Sequence, residues 1–133
     1  MLTPRLVIDT SGLIALERND RRAFAHLAAA ARRGYLVVVP ALVILEAYAG
    51  AHSTDRLNQI LKAIDMEIAL PPEIARRIPA SRKRAGVDSD ADVEVVLEAI
   101  EVPGSHILTG DPKDIFAVIA ACDAEGTIPV HVA

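Results

Sequence analysis

Five short strand-like runs set the terms on which this chain can fold: RLVID (5–9), LVVVP (36–40), MEIAL (66–70), HILT (106–109) and PVHV (129–132). Helical patterns fill the gaps, over 11–17, 20–33, 41–50, 54–64, 72–85, 90–100 and 113–124. Strands that alternate with helices imply right-handed crossovers and a parallel sheet covered on both faces. The expected product is a three-layer α/β/α domain spanning residues 1–133. At 133 residues one domain can bury a sizeable core without disulfides or a structural metal. Hydrophobic residues make up 52% of the chain and aromatics only 3%, so that core must be built from Val, Ile, Leu and Ala. Such a composition suits strands buried on both faces.

Topology supplies a place for chemistry. In open parallel sheets ligands bind beyond the carboxyl ends of the strands, near a switch in strand order. Asp9 ends the first strand run and Asp111 sits just past the fourth. If those strands are neighbours, two acids far apart in sequence meet at one edge. Each acid also has a structural alternative. In SHILTGDPKD (105–114), Asp111 reads as a helix N-cap, Pro112 as the first helical residue and Asp114 as the third. In VIDTSGLIAL, Asp9, Thr10 and Ser11 are three potential caps in a row, more polar groups than capping needs.

Two further segments add carboxylates. Glu46 is the only charged residue in the helix ALVILEAYAG (41–50), which reads as apolar nearly all round and hence buried. A buried carboxylate needs a partner. No Lys or Arg lies within a helical turn, which leaves a bound cation or a distant Arg. The stretch GVDSDADVEVVLEA crowds Asp88, Asp90, Asp92 and Glu94 around a helix start, with Ser89 as expected cap and Asp92 at its third position. Asp92 shares a face with Val95, Val96 and Ala99 and is expected to point inward, with Asp90 as the alternative ligand.

Three or four carboxylates around one point repel, each pair at about 5 Å by roughly 3 kcal/mol for an effective dielectric near 20. A hard divalent ion resolves the conflict, and Mg²⁺ or Mn²⁺ suits an all-carboxylate set. The four histidines, His26, His52, His106 and His131, fit no zinc spacing and read as structural or surface residues.

The net charge of −4 argues against nucleic-acid binding by bulk electrostatics, but an acidic metal site is compatible with a nuclease. Arg76, Arg77, Arg82, Lys83 and Arg84 form either a solvated helix face or a phosphate-steering patch. The lone cysteine, Cys122, reads as a small buried thiol in a reducing compartment. The longest uncharged stretch, YLVVVPALVIL, is too short for a bilayer, and no export signal is visible, so a cytoplasmic protein is expected.

Taken in order, VIDTSGLIAL, VPALVILEAYAG, DADVEVVLEA and ILTGDPKDI resemble the PIN-domain family, and within it the VapC-type ribonuclease toxins. The resemblance spans nearly the whole chain; DxS or TxD alone is weak, and the ordered set is what is specific. It implies a parallel sheet of order 3-2-1-4-5 and metal-ligating acids at Asp9, Glu46, Asp92 and Asp111. Thr109 falls on the family's small hydroxyl position, and Asp114 behind the ligands or at the helix cap. It further implies endoribonuclease activity with Mg²⁺ or Mn²⁺, an RNA substrate, a cognate antitoxin and a homodimer. Two positions depart from the pattern: Ala49 stands where many members have Arg, and the aromatic after the last acids is displaced to Phe116.

Three other readings compete. A PIN-fold nuclease could process RNA outside a toxin–antitoxin pair. A PIN-like module could bind RNA or protein without cleaving. A phospho-accepting receiver also gathers acids at strand ends, but it uses an acid pair near the first strand and a late lysine, and neither is present.

Overall fold

The computed structural model describes residues 2–133. Five strands form one parallel sheet: β1 (Arg5–Ile8), β2 (Leu36–Pro40), β3 (Met66–Ile68), β4 (His106–Thr109) and β5 (Val130–Val132). Their order is 3-2-1-4-5. Seven helices connect them: α1 (Thr10–Glu17), α2 (Arg21–Arg32), α3 (Ala41–Gly50), α4 (Thr54–Ala63), α5 (Pro72–Ala85), α6 (Asp90–Glu101) and α7 (Pro112–Ala121). Expected and observed elements agree one for one.

The sheet is covered on both sides, as its composition demands. Leu6, Val7 and Ile8 are all buried, although successive side chains point to opposite faces. Arg5 pairs with Glu98 of α6 at 3.1 Å, so α6 covers one face. Leu6, one residue on, meets His26 of α2 around a small cavity on the other. Helix α6 is the most deeply buried, with Val93 through Ala99 all inside.

Register brings the expected site together. Val7 pairs with Ile107 and Ile8 with Leu108, so Asp9 and Thr109 leave the sheet side by side at its carboxyl edge. Order reverses about β1, with β2 on one flank and β4 on the other, and α1 and α7 leave from that point. Gly12 allows α1 to lie close over β4. A Cβ there would stand 2.6 Å from the carbonyl oxygen of Leu108 and 3.2 Å from Asp9 Oδ1.

One expectation needs correction here. Helix α3 is not buried all round. Only Val43 and Ala47, one turn apart, are fully inside, while Leu45 is 69% and Tyr48 40% exposed. The helix packs against α1, α6 and β2, and the residues turned away from them, Leu45, Tyr48, Ala49 and Gly50, are exposed. Apolar content alone could not reveal that.

Candidate functional site

At the carboxyl edge of the sheet lies a cavity of about 600 Å³. Its lining includes Asp9, Glu46, Asp92, Asp111 and Asp114, the acids singled out from the sequence, together with Asp20. Arg18 is the only cationic side chain among the lining residues.

Asp9 is the buried centre of the arrangement, 2% exposed. Its Oδ1 accepts hydrogen bonds from the Gly12 amide at 2.7 Å and from Ser11 Oγ at 2.9 Å. Thr109 Oγ1 donates to Oδ2. Asp9 is therefore also the N-cap of α1, and the capping alternative holds alongside any other role. Thr10 and Ser11 do other work. Thr10 Oγ1 donates to Glu46 Oε1 at 2.8 Å. Ser11 Oγ accepts from the amides of Gly110 at 2.8 Å and Asp111 at 3.1 Å, tying the β4–α7 turn to the start of α1.

Burial raises the Asp9 carboxyl to a pKa of about 6, against the opposing pull of its hydrogen bonds, with Asp111 adding repulsion. Asp92 is raised to about 7 by burial first and then by repulsion from Asp9, Glu46, Asp114 and Asp111. Asp92 thus senses four other carboxylates across the cavity.

Glu46 is half-buried rather than buried, and neither an Arg nor a Lys pairs with it among the described residues. Its second oxygen accepts from Ser89 Oγ at 3.0 Å. Ser89 is the N-cap of α6, and its Oγ accepts from the Asp92 amide at 3.2 Å. One serine so links Glu46 to the start of the helix that carries Asp92. Asp90, the alternative third ligand, is exposed and lies 3.4 Å from Arg82, away from the cavity lining. Asp111 occupies the N-cap position of α7, but its side chain makes no capping bond, and Asp114 is the third helical residue. Free of a capping bond, Asp111 keeps its carboxylate available to the cavity.

The acids share a cavity without forming a finished cage. Among the described residues no three His, Cys, Asp or Glu side chains converge closely enough to enclose an ion as they stand.

Sequence reasoning missed several residues. Ser11 and Ser89 read from the sequence only as caps, and their side chains bridge segments. Arg18 follows the last residue of α1 and gave no signal. Glu94 is fully buried in α6 and accepts from the Leu42 amide at 2.9 Å, supplying from another helix the cap that Pro40 cannot give to α3. His26, His106 and His131, which read from the sequence as structural or surface residues, lie together on the α2 face of the sheet. Cys122 is half-buried, and burial raises its thiol pKa. The basic residues of α5 are solvent-exposed, Arg77 against Glu101 and Arg82 against Asp90.

No protein-family model matches the chain, and no curated protein matches it. No helix of the described residues is long and apolar enough to cross a membrane.

Proposed function

We propose that the chain is a metal-dependent endoribonuclease of the PIN-domain type, acting as the toxin of a toxin–antitoxin pair. The observation that carries this reading is the cavity itself. Six carboxylates and one guanidinium line a single space at the switch point of a parallel sheet, and repulsion among the acids leaves a standing demand for positive charge. The donor set fits a hard divalent ion, since it offers only oxygen. Asp9, Glu46, Asp92 and Asp111 would hold Mg²⁺ or Mn²⁺, in part through water, which Mg²⁺ gives up reluctantly. When bound, the ion supplies Lewis acidity toward a phosphodiester and lowers the pKa of a coordinated water.

The protein's own residues supply position. Ser11 and Thr109 hold Asp9 in one orientation from both oxygens. Ser89 and Thr10 do the same for Glu46. Arg18 is placed to meet a substrate phosphate that the acids would otherwise repel. RNA is the proposed substrate and a cognate antitoxin the proposed inhibitor. A homodimer belongs to the same reading, and the exposed Leu45 and Tyr48 offer an apolar face for such contacts.

Cleavage of a panel of structured RNAs with Mg²⁺, with Mn²⁺ and in EDTA tests the proposal. Activity is expected with either metal and none in EDTA. Asp9→Asn and Asp111→Asn should each abolish it while the fold survives, because Asn can cap α1 about as well as Asp9 does and Asp111 makes no side-chain capping bond to lose. Undiminished cleavage in EDTA would overturn the metal mechanism. The parted acids favour a second reading, a PIN-like module that binds RNA without cutting it. RNA retained in Mn²⁺ but never cleaved would select that one.

A further inference from the structure

On the α2 face of the sheet, at the opposite side from the acids' helix α6, three imidazoles, a phenol and a guanidinium surround a second cavity of about 70 Å³. A water needs at least about 10 to 15 Å³ of such space, so this one has room for a small ion or a terminal phosphoryl group with few waters, but not for a nucleoside. Helix α2 contributes His26 and, just beyond its end, Arg33; Tyr35 precedes β2; His106 and His131 come from β4 and β5.

The groups form a polar chain. The Tyr35 hydroxyl lies 3.4 Å from His106 Nε2, and His106 Nδ1 lies 2.9 Å from His131 Nε2. With both rings neutral, one proton serves the bond between them, and either ring can carry it. His26 Nε2 lies 3.3 Å from the carbonyl oxygen of Val132, which can only accept, so that nitrogen bears a hydrogen. The rings of His26 and His106 stand 4.9 and 5.0 Å from that of His131.

Charge identifies the ligand. No carboxylate is among the described residues lining this cavity, and the others among them are Leu6 and two alanines. One fixed cation, Arg33, faces three groups able to become cations. A metal ion would meet the repulsion of Arg33, whereas an anion meets only attraction and hydrogen-bond donors. We propose that this cavity binds a small tetrahedral oxyanion of the phosphate class, with protons taken up from solvent by His106 and His131. Protonating both rings breaks their shared hydrogen bond, and the anion supplies the acceptor that each N–H then requires. In the free protein burial first, then Arg33, lowers the His106 pKa; burial, then His106, His26 and Arg33, lower that of His131. Both shifts favour the neutral rings until an anion arrives.

The test is a titration of the whole protein with inorganic phosphate in EDTA, followed by NMR of the histidine ring protons. Each resonance is assigned by a single His→Gln variant. Without divalent metal the acidic cavity plays no part, so the result is independent of the proposed nuclease activity. The His106 and His131 resonances should shift saturably, with tighter binding at about pH 6 than at about pH 8, either side of the usual imidazole range. Arg33 is exposed, so Arg33→Gln should fold normally and weaken phosphate by about tenfold or more. A 5′-phosphorylated dinucleotide that shifts the same resonances, where its dephosphorylated form does not, would identify a phosphoryl terminus rather than the free ion as a source. No shift up to about 10 mM phosphate, a weak limit for any specific site, overturns the proposal. So does binding unchanged in Arg33→Gln, or a stoichiometric response to Zn²⁺ with none to phosphate.

Discussion

Thr109 carries more than its size suggests. It is fully buried, donates to Asp9 and accepts from the Asp111 amide at 3.0 Å. Thr109→Val keeps the shape and deletes both bonds, at a cost of about 1 to 3 kcal/mol in denaturant melts. RNA cleavage should fall with it, and Thr109→Ser should recover both, which a purely steric role would not predict. Gly12 is constrained by space instead. Gly12→Ala places a methyl against the Leu108 carbonyl, and the rigid backbone on both sides leaves α1 to move. Overpacking of this kind costs about 1 to 3 kcal/mol, read from the same melts, with reduced cleavage as the Asp9 cap shifts. The principal acids were legible because carboxylates at strand ends are chemically conspicuous. Ser11 and Ser89 were not, since a serine before a helix has an adequate local use. Their cross-chain bonds exist only once β1 and β4, or α3 and α6, are neighbours.

Among the elements, α3 shows how far helix-level reasoning reaches. Its bounds and its single acid were readable, but its exposure was not, because burial depends on what a neighbouring element happens to cover. The histidines teach the same lesson, as His26, His106 and His131 meet only through α2 and the β4–β5 pairing. What anchors α3 is the carboxyl of Glu94, whose Oε2 has no partner and whose pKa burial raises from 4.5 to about 7. Between those values the folded protein holds a proton that the unfolded chain has released. Stability from this group is therefore full below about pH 4.5 and is lost as pH rises through about 7. The loss is on the order of 3 kcal/mol. Glu94→Gln cannot titrate, so its stability relative to the parent should improve between about pH 5 and pH 8 in EDTA, where urea midpoints measure it. A constant difference across that range would mean that Glu94 stays ionised in the fold.

At the scale of the molecule, six acids gathered on one edge would, under the proposed function, make stability respond to a bound cation. A metal at one hundred times its dissociation constant adds about 2.7 kcal/mol, or on the order of 10 °C in melting temperature for a chain of this size. Asp111→Asn should lose much of that rise. Asp114→Asn, which mainly removes a helix-dipole contribution of about 0.3 to 1 kcal/mol, should lower the melts with and without Mn²⁺ by similar small amounts. Differential scanning fluorimetry of the two variants separates these outcomes, and an Asp114→Asn protein that alone loses the metal response would reverse the two assignments. The order 3-2-1-4-5 has a temporal meaning as well. β1 is among the first segments made, yet one of its two neighbours, β4, begins 100 residues after Leu6 pairs with it. At about 5 to 20 residues per second, a ribosome needs roughly 5 to 20 s to bridge that interval. Throughout it, Asp9 lacks Thr109, Ser11 lacks its two amides and the acidic cavity has no Asp111. The nascent chain is thus chemically incomplete, however well its first half has folded, until β4 clears the exit tunnel and slots in beside β1.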